Sequence, residues 1–288
     1  MKCTIKKKPN VSKSFYMISV YGASGFVGSR FCNLYPHFVV EQKRDERKPQ
    51  TKNILYLIST VDNYNVHTNI TLDVETNLKV LCEVLDFCRD SDIIFNFISS
   101  WFVYGETELP AKEEYICKPT GFYSITKKAA EDLLISFCKT YDVKYRIIRL
   151  CNVLGESDNK ASPKKNALVH MINLIKQDED VYLYDGGTPV RDVMHIDDVC
   201  KAIKLICDKG NINEIYNVGS GQPTSIGDII GKAKEYLGSR SVIKFKEAPE
   251  FHQIVQAKDF WLDTTKLQTL GFTQSISTEE IIKQLCTI

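Results

Sequence analysis

Short apolar runs alternate with amphipathic stretches along the first part of this 288-residue chain. Apolar runs bounded by turn residues predict strands at 17–21, 37–41, 53–59, 92–98 and 145–150. Apolar positions at helical spacing predict helices that end near residue 34, cover 74–88 and run from Tyr123 to Lys139. Strands that alternate with helices indicate a parallel, doubly wound α/β sheet.

A glycine-rich turn stands between the first predicted strand and the first predicted helix. Its glycines are spaced Gly-x-x-Gly-x-x-Gly, which is also compatible with a plain tight turn. In this position such a turn lets the backbone approach a pyrophosphate and offers helix N–H groups to it. The pattern predicts a dinucleotide site in a Rossmann-type fold, formed by Gly22, Ser24, Gly25, Phe26, Val27 and Gly28.

The pattern loosens after residue 150, with a Ser-, Pro- and Lys-rich loop at 158–166 and only short elements beyond it. This change predicts a smaller C-terminal α/β lobe for substrate binding. We expect a dinucleotide-binding domain at 15–152 and the lobe at 153–288, with residues 190–220 partly returning to the first domain. Residues 1–14 are Lys-rich, lack the apolar run of a signal peptide and are predicted to be a short extension.

Composition excludes several classes of partner. The 37 basic and 36 acidic residues nearly cancel, so no general field would attract nucleic acid, and no stretch is apolar enough to predict a membrane span. The ten cysteines form no Cys-x-x-Cys pair, and no histidine stands at metal-ligand spacing, so we predict no metal site. Free thiols in apolar stretches favour a reducing, cytoplasmic location.

Tyr123 and Lys127 are one helical turn apart and therefore neighbours on one face of the predicted helix. A cation beside a phenol favours the phenolate, so this pair can take or return a hydroxyl proton. The alternative is a half-buried tyrosine beside a solvated lysine. The other motifs of the chain favour the catalytic interpretation.

Six motifs occur in an order that resembles the extended short-chain dehydrogenase/reductase family, in particular its nucleotide-sugar epimerases, dehydratases and reductases. The resemblance covers residue 17 to the end of the chain. The motifs are the glycine turn, Glu75-Thr76-Asn77, the segment from Ser99 to Gly105, the segment from Tyr123 to Lys127, the segment from Arg191 to Asp198, and the segment from Tyr216 to Gly221.

The resemblance implies a catalytic set of Ser100, Tyr123 and Lys127. Tyr123 would be the acid/base and would also contact the cofactor, Lys127 would lower its pKa and bind the cofactor ribose, and Ser100 would hydrogen-bond the reacting sugar oxygen. Asn77 matches an asparagine near the cofactor, with a purely structural position in a helix turn as its alternative.

The same resemblance implies substrate contacts in the C-terminal lobe. Asn152 and Arg191 match positions that contact the glycosyl or diphosphate group, and a guanidinium suits phosphate because it can donate two hydrogen bonds. The alternative for Arg191 is an ion pair with Asp192 or Asp197. Asn166, with Lys164 and Lys165, is a further candidate in a loop that could instead be solvated.

The chain departs from the family pattern at two places near the catalytic set. Trp101 and Phe102 stand where dehydratases carry Asp-Glu, so elimination of water is not expected. Lys43 and Arg44 stand where NAD-preferring members carry an acidic residue, which favours NADP, with Glu41 as the residue that would restore NAD binding.

Two further departures concern missing parts. Residues 42–52 are too few for the strand and helix that the family usually places there, so we predict a sheet that lacks one βα unit and leave adenine recognition unassigned. A C-terminal arginine that often grips the diphosphate has no match, with His252, Gln253 and Lys258 near its place.

Three functions remain as hypotheses. The first is an NAD(P)-dependent nucleotide-sugar 4-epimerase, and the second is an NADPH-dependent nucleotide-sugar 4-ketoreductase in deoxysugar biosynthesis. The third is an NADP(H)-binding sensor or scaffold without turnover, which the Ser100, Tyr123 and Lys127 set argues against. The family also implies a nucleotide-diphosphate sugar as partner and a homodimer.

Overall fold

A computed structural model describes residues 17–89, 92–156, 162, 165–256 and 258–287. The extension predicted at 1–14 and Lys164 lie outside these residues. Within them the chain forms eleven strands, labelled in chain order: β1 (Ile18–Tyr21), β2 (Val39–Glu41), β3 (Asn53–Tyr56), β4 (Ile94–Ser100), β5 (Lys144–Leu150), β6 (Asn152–Leu154), β7 (Val181–Tyr184), β8 (Val190–His195), β9 (Glu214–Val218), β10 (Pro223–Ser225) and β11 (Ile243–Lys246).

Ten α-helices occur within the described residues: α1 (Phe26–Leu34), α2 (Leu72–Val74), α3 (Val80–Leu85), α4 (Phe122–Tyr141), α5 (Ala167–Lys176), α6 (Ile196–Lys209), α7 (Ile226–Leu237), α8 (Glu250–Val255), α9 (Thr265–Thr269) and α10 (Thr278–Thr287). The helix predicted at 74–88 is not one continuous α-helix, because a π-helical turn at Glu75–Lys79 separates α2 from α3. None of the described helices is both long and apolar enough to cross a membrane.

Six parallel strands form the main sheet in the order β2-β1-β3-β4-β5-β9. The predicted parallel, doubly wound sheet is therefore confirmed. One apolar core lies between the sheet and helices α1 and α6, and another lies between the sheet and helices α3 and α4. Helices on both faces of the sheet are therefore packed against it. All catalytic candidates stand at or after the carboxyl ends of these strands, where open α/β sheets bind ligands.

β2 is the edge of this sheet, as expected for a fold that lacks one βα unit. Residues 42–52 form neither helix nor strand and cross β1 to reach β3. The segment is fastened to β1 because the Ser19 Oγ accepts hydrogen bonds from the Gln50 and Thr51 N–H groups (3.1 and 2.9 Å), and the Tyr21 hydroxyl donates to the Arg47 carbonyl (2.7 Å). Ser19, a polar residue in a buried strand, thus provides a hydrogen-bond acceptor for backbone N–H groups of the 42–52 segment.

The C-terminal part contains two small sheets, β10-β8-β6 and β11-β7, around a third core lined by α5, α7 and α10. The chain returns from this part to the main sheet, since β9 pairs with β5 and α6 packs on α1. A forked ion pair joins these helices, from Arg30 Nε and Nη2 to the Asp197 carboxylate (2.5 and 2.8 Å). The proposed division into domains stays a prediction.

Candidate active site

The glycine turn forms a close-packed cradle at the start of α1. Gly22 has a φ of +82°, a region that favours glycine, and a Cβ on Gly28 would lie 2.2 Å from the Gly22 carbonyl oxygen. No side chain caps α1 at Gly25, so the first N–H groups of the helix are free of side-chain acceptors. The residues present therefore fit a pyrophosphate group.

Tyr123 lies in the first turn of α4 and is 7% exposed. Burial raises the pKa of Tyr123 to about 12, and hydrogen bonding with the Ser100 and Ser59 hydroxyls opposes this rise without cancelling it. Lys127 does not lower the pKa of Tyr123 in this arrangement, contrary to the expectation from the sequence. The neutral phenol is favoured, so Tyr123 needs a positive charge nearby if it is to act as a base.

The position of the Lys127 ammonium group explains why it does not lower the Tyr123 pKa. Its Nζ donates to the carbonyl oxygen of Ile98 (2.6 Å) and lies 4.2 Å from the centre of the Phe97 ring, with only 2% of the residue exposed. Burial lowers the pKa of Lys127 to about 7, against the opposing effect of the Glu131 carboxylate. The side chain is therefore buried against β4, although it stands one helical turn from Tyr123.

Asn77 holds the neighbouring segments together. It sits in the π-helical turn Glu75–Lys79, where its Oδ1 accepts hydrogen bonds from Ser59 Oγ and Thr60 N (3.0 and 2.8 Å). Its Nδ2 donates to the hydroxyls of Thr60 and Thr126 (both 2.9 Å). Both donors and both acceptor positions of the amide are used by protein groups, which favours the structural alternative for this residue.

Ser100 ends β4, and its Oγ accepts a hydrogen bond from Phe102 N (3.3 Å). The two aromatic residues that follow it form a stack, with the Trp101 and Phe102 ring centres 4.0 Å apart. The Phe102 ring meets the Tyr123 ring edge-on at 5.8 Å, and Trp101 also packs against Phe260 at 4.6 Å. The aromatic pair thus forms an apolar wall beside the phenol and the serine.

Arg191 lies on the other side of this wall, with its guanidinium carbon 5.6 Å from the centre of the Trp101 ring. Its Nη1 donates to the Val190 and Lys258 carbonyls (2.8 and 2.6 Å), and burial lowers its pKa to about 10. The alternative of an ion pair with Asp192 or Asp197 is wrong. The Asp192 carboxylate accepts hydrogen bonds from backbone N–H groups and from the Ser220 hydroxyl. The Asp197 carboxylate is paired with Arg30.

Asn152 and Asn166 lie on neighbouring elements of the lobe. The Nδ2 of Asn152 donates to the Asp192 carbonyl (3.1 Å), one residue from Arg191. Asn166 has a φ of +53° at the start of α5 and donates to the Val153 carbonyl (3.4 Å). These contacts place Asn152 close to the Arg191 strand, whereas the structure gives no contact between Asn166 and the catalytic set.

The basic pair predicted to select the cofactor lies at the end of β2. Lys43 and Arg44 are exposed and follow Glu41, the last residue of the strand. The backbone N–H of Lys43 donates to Glu46 Oε2 (3.0 Å), and Arg47 Nη1 donates to the Arg44 carbonyl (2.9 Å). The turn is therefore ordered by its own residues, with both basic side chains on its surface.

A contact between the two parts of the chain was not predicted from the sequence. The 3-10 helix Asn63–His67 packs on the start of α4, where Asn63 Oδ1 accepts a hydrogen bond from Ser124 N (3.4 Å). At its other end Tyr64 hydrogen-bonds His252 Nδ1 (2.8 Å), and the Phe251 ring packs against Tyr64 (5.1 Å). We call Tyr64, Phe251 and His252 the aromatic clasp; it joins the Tyr123 side of the site to α8.

Burial is the main cause that lowers the pKa of His252, and the charge of the Arg191 guanidinium lowers it further. Arg191 therefore acts on the aromatic clasp. Lys258 contributes only a backbone carbonyl to Arg191, and Gln253 donates to the Ala248 carbonyl (2.8 Å). Of the three residues considered near the missing C-terminal arginine, His252 is thus the one whose pKa the Arg191 guanidinium lowers. Its partner Tyr64 is nearly 190 residues away in sequence, so no local pattern could have revealed the contact.

Residues 39–219 match the NAD dependent epimerase/dehydratase family, and this segment contains Ser100, Tyr123 and Lys127. The chain belongs to this family and is an enzyme of this kind, which confirms the resemblance seen in its motifs. A putative UDP-glucose 4-epimerase from Methanocaldococcus jannaschii is 26% identical over an alignment of 304 positions, gaps included, that covers 93% of this chain and 97% of the relative.

Two solved structures share the fold. The UDP-glucose 4-epimerase from Thermotoga maritima, solved with UDP-glucose, has a TM-score of 0.83 at 22% identity and covers 94% of this chain and 97% of its own. RMD from Pseudomonas aeruginosa, complexed with NADPH, has a TM-score of 0.80 at 20% identity, with 94% and 98% covered. At these identities the likeness supports the fold, while the site must be argued from its own residues.

Proposed function

We propose that the protein is an NAD(P)-dependent nucleotide-sugar 4-epimerase with Tyr123 as its acid/base. The observation that carries the proposal is the buried Tyr123 phenol next to the Ser100 hydroxyl, at the carboxyl end of the sheet that also presents the glycine cradle. A putative UDP-glucose 4-epimerase aligned along nearly the whole chain supports it.

Each residue has a defined task in this reaction. As the phenolate, Tyr123 takes the proton of the sugar 4-hydroxyl and later returns it to the ketone oxygen, while Ser100 hydrogen-bonds that oxygen. The glycine cradle would hold a nicotinamide cofactor, which when bound would supply reversible hydride transfer at the sugar carbon. Lys127, in its charged form, would favour the phenolate and bind the cofactor ribose.

The aromatic wall defines what the site does not do. Elimination of water from a sugar needs groups that exchange protons next to the serine, and Trp101 and Phe102 have none. Their stacked geometry also fills this position with apolar rings. We therefore restrict the proposal to chemistry at one sugar carbon, with Arg191 and Asn152 as binding groups for the diphosphate or glycosyl part of the nucleotide-sugar.

A nucleotide-sugar 4-ketoreductase is the second candidate. It is favoured by the exposed Lys43 and Arg44 at the end of β2, because a basic pair suits the 2′-phosphate of NADPH and net reduction consumes NADPH. RMD, which was solved with NADPH, has the same fold as this chain, so the fold is compatible with this cofactor. We propose NADP as the preferred cofactor, with Glu41 as the residue that would favour NAD.

One assay separates the candidates. The protein is incubated with UDP-, dTDP- and GDP-sugars and their 4-keto derivatives in the presence of NAD(H) or NADP(H), and sugar products and cofactor absorbance are followed together. Isomerised sugar without net cofactor change supports the epimerase, and stoichiometric NADPH oxidation supports the reductase. Cofactor binding without any turnover across this panel would favour a sensor or scaffold.

The cofactor preference is tested by fluorescence titration with NADH and NADPH. Wild-type protein should bind NADPH more tightly, and replacing Lys43 and Arg44 by serine should remove that difference by weakening NADPH binding. Replacement of the nearby exposed Lys48 is the matched control. Tighter binding of NADH by the wild type would contradict the proposed preference.

We also propose a cytoplasmic homodimer that serves polysaccharide or deoxysugar biosynthesis. Apolar side chains at helical spacing along one face of α4 are well exposed and support a helix–helix interface, and the nine described cysteines are all free. Light scattering should give twice the chain mass, and aspartate at two of the exposed positions should give the monomer. The exposed positions are Phe122, Ile125, Leu133 and Tyr141.

A further inference from the structure

The charge of Lys127 is held in a nearly closed environment. The residue is 2% exposed, and its ammonium group contacts the Ile98 carbonyl and the face of the Phe97 ring. Both contacts favour the charged form, but removal from water opposes it, and burial lowers the pKa of Lys127 to about 7 even with the Glu131 carboxylate acting in the opposite direction. A neutral lysine would not favour a phenolate, so the tasks proposed for Lys127 require something that retains its proton.

Glu131 is the carboxylate placed to do this. It stands one turn after Lys127 on the buried face of α4 and is 1% exposed. Its negative charge opposes the effect of burial on the pKa of Lys127. An isolated buried carboxylate would itself take up a proton, so Glu131 also needs a partner if it is to remain charged.

Arg149 on β5 supplies that partner. Its Nε and Nη2 donate to the two oxygens of Glu131 (3.1 and 2.8 Å), the forked geometry of a strong guanidinium–carboxylate pair. The guanidinium is itself held by the Glu113 carbonyl (3.3 Å) and by the Tyr104 ring, whose centre lies 4.6 Å away. Lys127, Glu131 and Arg149 therefore form a row of buried charges of alternating sign beneath the site.

We propose that Glu131 is a positioning residue that increases the protonated fraction of Lys127, and that Arg149 fixes the Glu131 carboxylate on the buried face of α4. The proposal rests on the role given to Lys127 in the proposed function, and it adds two residues that need touch neither substrate nor cofactor. Removal of the Glu131 charge should release the Lys127 proton at lower pH.

The first test measures the titration of Lys127 directly. Protein labelled with [6-¹³C]lysine is titrated by NMR, and the Lys127 signal is identified as the one lost in Lys127→Met. In Glu131→Gln the acid dissociation constant of Lys127 should increase by at least about tenfold. Asp132→Asn is the matched control, because Asp132 pairs with the neighbouring Lys128 on the exposed side of the same helix, and it should leave the Lys127 signal unchanged.

A second variant addresses folding. Glu131→Gln leaves Arg149 without its buried partner, so the double variant Glu131→Gln with Arg149→Met is made as well, which removes both charges of the pair together. An increase in the acid dissociation constant in the same direction is expected there, but a smaller one, because the positive charge of Arg149 is removed as well. An unchanged titration of Lys127 in both variants, or an equal change in Asp132→Asn, would overturn the proposal.

Cofactor binding gives an independent readout. NADH affinity of the wild type should fall as the pH rises through the Lys127 midpoint, and in Glu131→Gln this fall should occur at lower pH. An NADH profile that does not move with the Lys127 titration would overturn the link between the charge row and the site. Failure of wild-type protein to bind NADH or NADPH at any pH from about 6 to 9 would instead refute the proposed function, leaving the Lys127 titration intact.

Discussion

Replacement of Tyr123 by phenylalanine removes a single oxygen atom from the proposed site. The ring would keep its edge-on contact with Phe102, and the first turn of α4 would keep its backbone. The atom removed is the one that hydrogen-bonds with the Ser100 and Ser59 hydroxyls and that we assign to proton transfer. The change therefore separates chemistry from packing.

The expected effect is large on turnover and small on everything else. Loss of a positioned acid/base lowers kcat by about 10²- to 10⁴-fold, which corresponds to about 3–5 kcal/mol in the activation barrier. The free energy of unfolding should change by only about 1 kcal/mol, the ordinary value of a hydrogen bond exchanged for water. NADPH affinity should stay the same, because the glycine cradle lies on a different element.

The assay compares initial rates on the best nucleotide-sugar of the panel, NADPH affinity by fluorescence, and unfolding in urea. Tyr56→Phe is the matched control, since Tyr56 is equally buried and its hydroxyl has no hydrogen-bond partner among the described residues. Its activity should match that of the wild type. Retention of more than about a tenth of the wild-type kcat by Tyr123→Phe would refute the acid/base assignment.

Three further predictions concern the cradle and the buried charges. Gly28→Ala should abolish NADH binding, because its Cβ would lie 2.2 Å from the Gly22 carbonyl oxygen; an unchanged titration would contradict the cradle. Arg149→Met should lower the free energy of unfolding in urea by about 3–5 kcal/mol by leaving buried Glu131 unpaired, and a loss below about 1 kcal/mol would contradict this. The pKa of Lys127 falls from 10.5 when exposed to about 7 when folded. The unfolded chain therefore binds more protons between these values, and wild-type stability should rise across this pH range relative to Lys127→Met; a constant difference would contradict the lowered pKa.

The order of strands and helices could be predicted because each element has a local signal. Apolar runs, helical spacing and the glycine turn are properties of neighbouring residues, and they led to the parallel sheet and to the Tyr123–Lys127 pair. Ser100 came from the resemblance of the motifs to a known family. The structure adds that Asn77 has every polar group of its side chain satisfied by protein. Such saturation depends on segments that meet only after folding, so the motif could not distinguish a cofactor contact from a structural one.

The row of buried charges formed by Lys127, Glu131 and Arg149 also depends on contacts that a sequence pattern cannot reveal. Glu131 lies between Ala130 and Leu134 on the buried face of α4, with Asp132 next to it in the sequence, and Arg149 lies between apolar residues of β5. A buried charge requires a partner, and this rule could have marked both residues as a pair to be found. It could not have joined them, because α4 and β5 come together only through the packing of the sheet. The direction of the Tyr123 pKa shift was missed for a related reason, since burial has no sequence signal as strong as charge.

The edge position of β2 bears on how long a cofactor would stay bound. Within the part of the chain that the structure describes, the sheet has no further strand beyond β2, and the segment that replaces the usual unit turns back across β1. The adenosine end of a dinucleotide would therefore meet one wall fewer, and its retention would depend on the glycine cradle and on Lys127. An epimerase needs the same cofactor molecule to stay for the return of the hydride, whereas a reductase must release it after every turnover. Residence time of the cofactor, set by a missing piece of sheet far from the reacting carbon, would then decide which of the two reactions this site can sustain.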